Sequence, residues 1–237
     1  MRLLIAATFI VFAQFAGFDM ADARPSRLVI LRHAEKEPKD AADSNELCAV
    51  GKLRAQALSA QYLGKNAKAA ADIFGPGKEP DVFFAMTPHT RETAEPVLAS
   101  WGDSKLHVFF PDDDRDQETR NAVAELAKSE FDGKTVVIIW EHHHIASKQF
   151  NDADATLWSL LHLGELSGGA ALKKWPGVNY NFFWIVDYSA SPPTIRKVQQ
   201  TFPDPQYSAI PDNGWGDDVD SGKFAAFYHD CYVKDAE

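Results

Sequence analysis

Three short stretches of this sequence place reactive side chains directly after apolar runs. Leu28-Val-Ile-Leu31 leads into Arg32-His33-Ala34-Glu35. Val82-Phe-Phe-Ala-Met86 leads into Thr87-Pro88-His89-Thr90-Arg91. Val136-Val-Ile-Ile-Trp140 leads into Glu141-His142-His143-His144. Arginine offers a planar fork of donors that matches phosphate oxygens. An imidazole with one neutral ring nitrogen can attack phosphorus and carry the group covalently. Two arginines would offset the charge on a transferring phosphoryl group, which is most of what that chemistry asks of a protein. Taken singly, these residues are bland. Arg32-His33 reads as an exposed pair at a strand end, and Arg91 as a solvated helix residue paired with Glu95 four positions on. The phosphate reading needs all three segments to meet.

The apolar runs that carry them read as strands. Arg27–Leu31, Asp81–Met86, Leu106–Phe110 and Thr135–Trp140 are short and rich in β-branched or aromatic residues, as parallel strands buried on both faces are. Between them, residues 47–63, Thr90–Trp101 and Glu118–Ser129 show helical spacing, and Gly64 is a stop for the first. Asn181–Asp187 and Thr194–Gln200, joined across Ser191-Pro192-Pro193, predict an antiparallel hairpin. The tail from Phe202 to Glu237 predicts mostly loops. Alternating strands and helices imply a mostly parallel sheet covered on both faces. In such sheets ligand sites gather at the carboxyl ends of the strands, where all three reactive segments fall.

At this level the residues resemble a known family. The strand with Arg32-His33-Ala34-Glu35 is similar to the Arg-His-Gly-Glu motif of the histidine phosphatase superfamily, with Ala34 for the usual glycine. Leu47 to Leu58 resembles the family's first helix, Thr87 to Pro96 its second arginine motif, and Val136 to His142 the strand delivering its second histidine. The four occur in family order over roughly residues 27–146. The resemblance implies a phosphoglycerate-mutase-like fold, a three-layer α/β/α sandwich with a mostly parallel central sheet. It implies a phosphatase that hydrolyses phosphomonoesters through a phosphohistidine on His33, with Arg32, Arg91 and His142 around the phosphoryl group and no metal or organic cofactor. His143 is an alternative to His142. Asp112, Asp113, Asp114 and Glu118 are candidates for the general acid, while Glu141 sits beside His142. A phosphomutase on the same fold is a second reading, disfavoured by export.

A third reading is an exported protein that binds an anion or a metal without turnover. Imidazoles bind zinc and copper. His142 and His144 would share a face of an extended segment, with His89 or His107 as a further ligand. Asp112-Asp113-Asp114 lacks the spacing of a calcium loop and reads as a solvated turn. Aromatic residues crowd the second half (Trp158, Trp175, Tyr180, Trp184, Tyr188, Trp215), and core packing accounts for most of them.

The N-terminus sets the expected compartment. Met1-Arg2, the apolar stretch Leu3–Phe18 and Ala21-Asp22-Ala23 are the parts of a cleaved secretory signal. This predicts residues 1–23 as leader and 24–237 as one catalytic domain, periplasmic or secreted. The formal charge of −10 falls to about −9 without the leader. That balance speaks against nucleic acid or an anionic membrane as partner, and leaves a small phosphorylated substrate. In an oxidising compartment Cys48 and Cys231 can pair, but their spacing alone leaves two separate buried thiols equally open.

Overall fold

The computed structural model describes residues 24–38, 46–102, 105–109 and 114–231. The expected leader lies outside them, as do Asp112 and Asp113. Among the described residues, no helix is long and apolar enough to cross a membrane.

Strand β1 (Arg27–Arg32) is followed by helix α1 (Ala49–Leu58), which runs on through a π-helical turn, Ser59–Leu63, to Gly64. Helix α2 (Ala70–Phe74), strand β2 (Val82–Ala85), helix α3 (Pro88–Trp101), strand β3 (Leu106–Val108), helix α4 (Arg115–Leu126) and strand β4 (Thr135–Trp140) complete the parallel part. Three one-turn helices follow: α5 (His142–Ile145), α6 (Lys148–Asn151) and α7 (Leu157–Leu160). Strands β5 (Phe182–Asp187) and β6 (Thr194–Gln199) form the hairpin, and α8 (Ala225–Asp230) lies in the otherwise irregular tail. The sheet order is β3-β2-β4-β1-β5-β6. The first four strands are parallel, and β5 and β6 are antiparallel to their neighbours.

Side chains alternate across a strand, so each central strand feeds two cores. Leu28, Ile30, Phe84, Val136, Ile138, Trp140 and Trp184 face one side, against Ala122 and Leu126 of α4 and Ile145 and Leu157 beyond β4. Val29, Leu31, Phe83, Val137, Ile139 and Phe183 face the other, against Leu58, Ile73, Ala94, Val97 and Leu98. This is the expected three-layer α/β/α sandwich with a mostly parallel sheet. The helix boundaries shift for local reasons. Asp114 caps α4 by accepting from the Gln117 amide, so that helix starts three residues before Glu118 and ends at Leu126. Pro88 at the first turn of α3, with Thr87 as cap, moves its start ahead of Thr90.

Cys48 and Cys231 form a disulfide across a separation of 183 residues. It pins the end of α8 to the start of α1 within a small core of Val50, Tyr180, Val219, Phe224 and Phe227. The bond closes most of the chain into one loop and so removes much of the unfolded chain's freedom. Replacing both cysteines by serine is expected to lower the free energy of unfolding by about 2–5 kcal/mol. Denaturant titration of the two proteins measures that loss.

Candidate active site

The register of three neighbouring strands builds the site. Strands β1 and β4 run parallel with Arg32 opposite Trp140, and the His33 amide donates to the Trp140 carbonyl at 3.1 Å. His33 and Glu141, the next residues of the two strands, therefore emerge side by side. On the other flank of β4, β2 pairs Ala85 with Ile139, which brings Thr87 and α3 to the same edge. Strand β5 is antiparallel to β1, so Tyr180, just ahead of it, lies where β1 ends.

The loop after His33 is fixed from three directions. The Ala34 amide donates to Thr93 Oγ1 at 2.8 Å. Glu35 accepts from Arg54 Nε and Nη2 at 2.6–3.0 Å, in a pair with almost no exposure, and Arg54 also donates to the Pro211 carbonyl. The Glu35 carbonyl accepts from the Cys48 amide and presses against Gly51. A Cβ at Gly51 would stand 1.9 Å from that oxygen, so only glycine fits there.

His33 is fully buried. Its Nδ1 lies 2.7 Å from the Ala34 carbonyl, an acceptor, so the proton on Nδ1 donates there and Nε2 faces Glu141. Glu141 Oε2 stands 3.4 Å from Nε2. Glu141 Oε1 accepts from the Thr87 hydroxyl at 2.8 Å and lies 3.9 Å from His89 Nδ1. The His89 and His33 ring centres are 5.3 Å apart, and Tyr180 meets His33 edge-on at 5.8 Å. Arg32 donates to the Tyr180 hydroxyl at 2.9 Å and to the Gly177 carbonyl, with its guanidinium 3.7 Å from the Tyr180 ring centre. His142 is buried, and neither of its ring nitrogens has a hydrogen-bond partner. One of them lies within 4.8 Å of His33 and Glu141 donor atoms.

The structure therefore brings together Arg32, His33 and His142, but it turns Arg91 away. Residues 89 and 91 are about 200° apart around a helix. The buried face of α3 runs from His89 through Thr93, Val97 and Ala94 to Leu98. Arg91 falls past its far edge, where it borders a surface hollow with Glu46, Glu92 and Glu95. The expected two-arginine cradle is corrected accordingly. His89 takes the inward position, and Arg115, at the start of α4, adds positive charge near Glu141. The helical phase of Ala94, Val97 and Leu98 carries the signal that would have placed Arg91 outside. Tyr180 had no sequence signal of its own.

Of His142 and His143, His142 is the one grouped with His33 and Glu141. His143 packs against its ring at 3.9 Å between centres, and His144 Nε2 pairs with Asp116 at 2.8 Å. His107 stacks on Phe109, so the metal set of His142, His144 and His107 is not assembled. Of the carboxylates considered, Asp114 caps α4, and Glu118 accepts from Asn121 on an exposed surface. Glu141 is the one at His33 among the described residues.

Electrostatics divide the pocket. Burial alone would raise the Glu141 carboxyl. The charge of His33, its contact with that ring, Arg115 and the Thr87 hydroxyl together outweigh burial and hold it well below 4.5. Burial, reinforced by the charges of Arg32, His143 and His33, holds His142 well below 6.5, so it is neutral.

No protein-family model matches the chain, and no curated protein matches it. Among solved structures, it is similar to a protein assigned as the phosphohistidine phosphatase SixA from Agrobacterium tumefaciens, with 14% identity, 74% of this chain and 97% of that one covered, and a TM-score of 0.43. It is also similar to a mycobacterial glucosyl-3-phosphoglycerate phosphatase in complex with inorganic phosphate (15% identity, 76% and 99% covered, TM-score 0.40). A phosphoglycerate mutase from Plasmodium falciparum gives 13% identity, 79% and 95% covered, and a TM-score of 0.37. Likeness at this level carries no argument about activity, which rests on the residues described above.

The unfolded chain takes up a proton at His142 near pH 6.5 that the folded chain refuses. The stability due to its neutral form is full above that pH and lost as pH falls below it. Melting temperature in the presence of a chelator should therefore fall from pH 6.5 to about pH 5. In His142→Gln that fall should be shallower.

Proposed function

We propose that this protein is an exported phosphatase of the histidine phosphatase type, hydrolysing small phosphomonoesters through a phosphohistidine on His33. The observation that carries the reading is the state of His33. Its Nδ1–H is tied to the Ala34 carbonyl, and its Nε2 is directed at a buried carboxylate among other imidazoles. That is the tautomer an attacking imidazole needs.

Glu141 and His33 then share one proton. It passes between His33 Nε2 and Glu141 Oε2, which stand 3.4 Å apart. When the substrate phosphoryl group enters, the proton passes to Glu141, which frees the Nε2 lone pair and arms the acid. Nε2 bonds to phosphorus as the bond to the leaving oxygen breaks, and Glu141 protonates that oxygen. Water next attacks the phosphohistidine, Glu141 accepts its proton, and inorganic phosphate departs. Arg32 and His89 flank the transferring group. Tyr180 holds the Arg32 guanidinium in place. The cleavable N-terminal segment supports export, as does the Cys48–Cys231 disulfide, a bond that oxidising compartments preserve.

Hydrolysis of an aryl phosphate by the purified protein, with a chelator present, tests the reading. His33→Ala should lose at least ~10³-fold in kcat. Equal turnover by wild type and this variant would remove His33 from the mechanism, and no turnover by folded wild type would sink the phosphatase reading.

The same assay separates the two candidate residues of α3. His89→Ala should lower kcat/KM by roughly 10²-fold, as loss of a group facing the developing charge does. Arg91→Ala should leave it within about threefold, because Arg91 falls past the buried face of α3 that carries His89. The reverse order would show that Arg91 turns inward with substrate.

A further inference from the structure

We infer that the pocket also binds one divalent transition-metal ion of the zinc class, held by His33 Nε2, Glu141 Oε2 and a ring nitrogen of His142. The three donor atoms lie within 4.8 Å of one another and all three residues are buried. Around a zinc ion at 2.0–2.1 Å, tetrahedral ligands stand about 3.3 Å apart. His33 Nε2 and Glu141 Oε2 are already 3.4 Å apart, so His142 alone must close in.

The supporting contacts around these residues are those of a built metal site. Histidine ligands are oriented by a carbonyl or carboxylate on the other ring nitrogen, and ligating carboxylates are themselves hydrogen-bonded. The Ala34 carbonyl does the first for His33, and the Thr87 hydroxyl the second for Glu141. His142 supplies a second, separate observation. It is more than nine-tenths buried with both ring nitrogens unpartnered, a costly arrangement in a protein interior, and a metal bond would satisfy one of the two. The nearest cation, Arg32, is occupied by the Gly177 carbonyl and the Tyr180 ring. Two imidazoles and one carboxylate form an established zinc ligand set that leaves a fourth position open. His89 Nδ1, 3.9 Å from Glu141, lies beside that set.

This inference goes beyond the phosphatase reading, and the two occupants exclude each other. The metal takes the lone pair that would attack phosphorus. Zinc is therefore an inhibitor at this pocket, and a chelator restores turnover.

Titration of the chelator-stripped, dialysed protein with Co²⁺ and Zn²⁺ tests the site. Wild type should take up one ion per chain, with Co²⁺ giving the intense visible absorption of tetrahedral coordination. Zn²⁺ affinity is read by competition with a chromophoric chelator. His142→Ala and Glu141→Gln should each weaken binding by at least ~10-fold. His144→Ala, which alters the neighbouring Asp116 pair, should keep it. Circular dichroism shows whether each variant is folded, and the wild-type stoichiometry stands without any variant. No binding by folded wild type would overturn the inference, and so would binding that survives both ligand substitutions. Metal uptake without aryl phosphate hydrolysis would keep this inference and remove the phosphatase. Hydrolysis in chelator with no metal uptake would do the reverse.

Discussion

The parallel pairing of β1 with β4 is the constraint on which the site depends. Six residue pairs lock the two strands from Arg27–Thr135 to Arg32–Trp140. A slip of one residue would send each side chain of β1 to the opposite core and lose its fit there. The deep burial of Leu28 to Leu31 and Val136 to Trp140 forbids that slip. Because the register is fixed, His33 and Glu141 leave the sheet together. Everything else in the pocket is arranged around that juxtaposition.

Much of this architecture is legible in the sequence. Strand β4 stands out because burial on both faces demands an unbroken apolar run. The hairpin of β5 and β6 is marked by its proline turn. The arrival of reactive residues at three strand ends follows from the same pattern. The phase of α3 is less legible, because Thr87 to Arg91 places a histidine and an arginine two positions apart. Which of them faces inward depends on where the helix starts, and Thr87 and Pro88 set that start together. The apolar positions further along the helix, Ala94, Val97 and Leu98, contain the answer. Helices α5 to α7 span about one turn each, too short for a 3.6-residue period to show. Tyr180 lies in a polar loop, and its place follows only from the antiparallel direction of β5.

The pocket that results is less cationic than an all-arginine phosphate cradle. A buried carboxylate sits among three imidazoles, with Arg32 held to one side by Tyr180. Such a set offers imidazole and carboxylate lone pairs as well as charge. Asn179 and Asn181, both buried, bind the backbone of the loop around Asn213 to Gly216 and so steady the segment that carries Tyr180.

The tie between Cys48 and Cys231 bears on when the pocket can form during synthesis. One of its ends lies just beyond the loop that follows His33, while the other is among the final residues described. Phe227, close to the second end, packs against Tyr180, which in turn orients Arg32. A chain made only as far as β4 has His33 but lacks this last wall. The surroundings of His33 are therefore braced by a bond that forms only once Cys231 has been made and both thiols are oxidised.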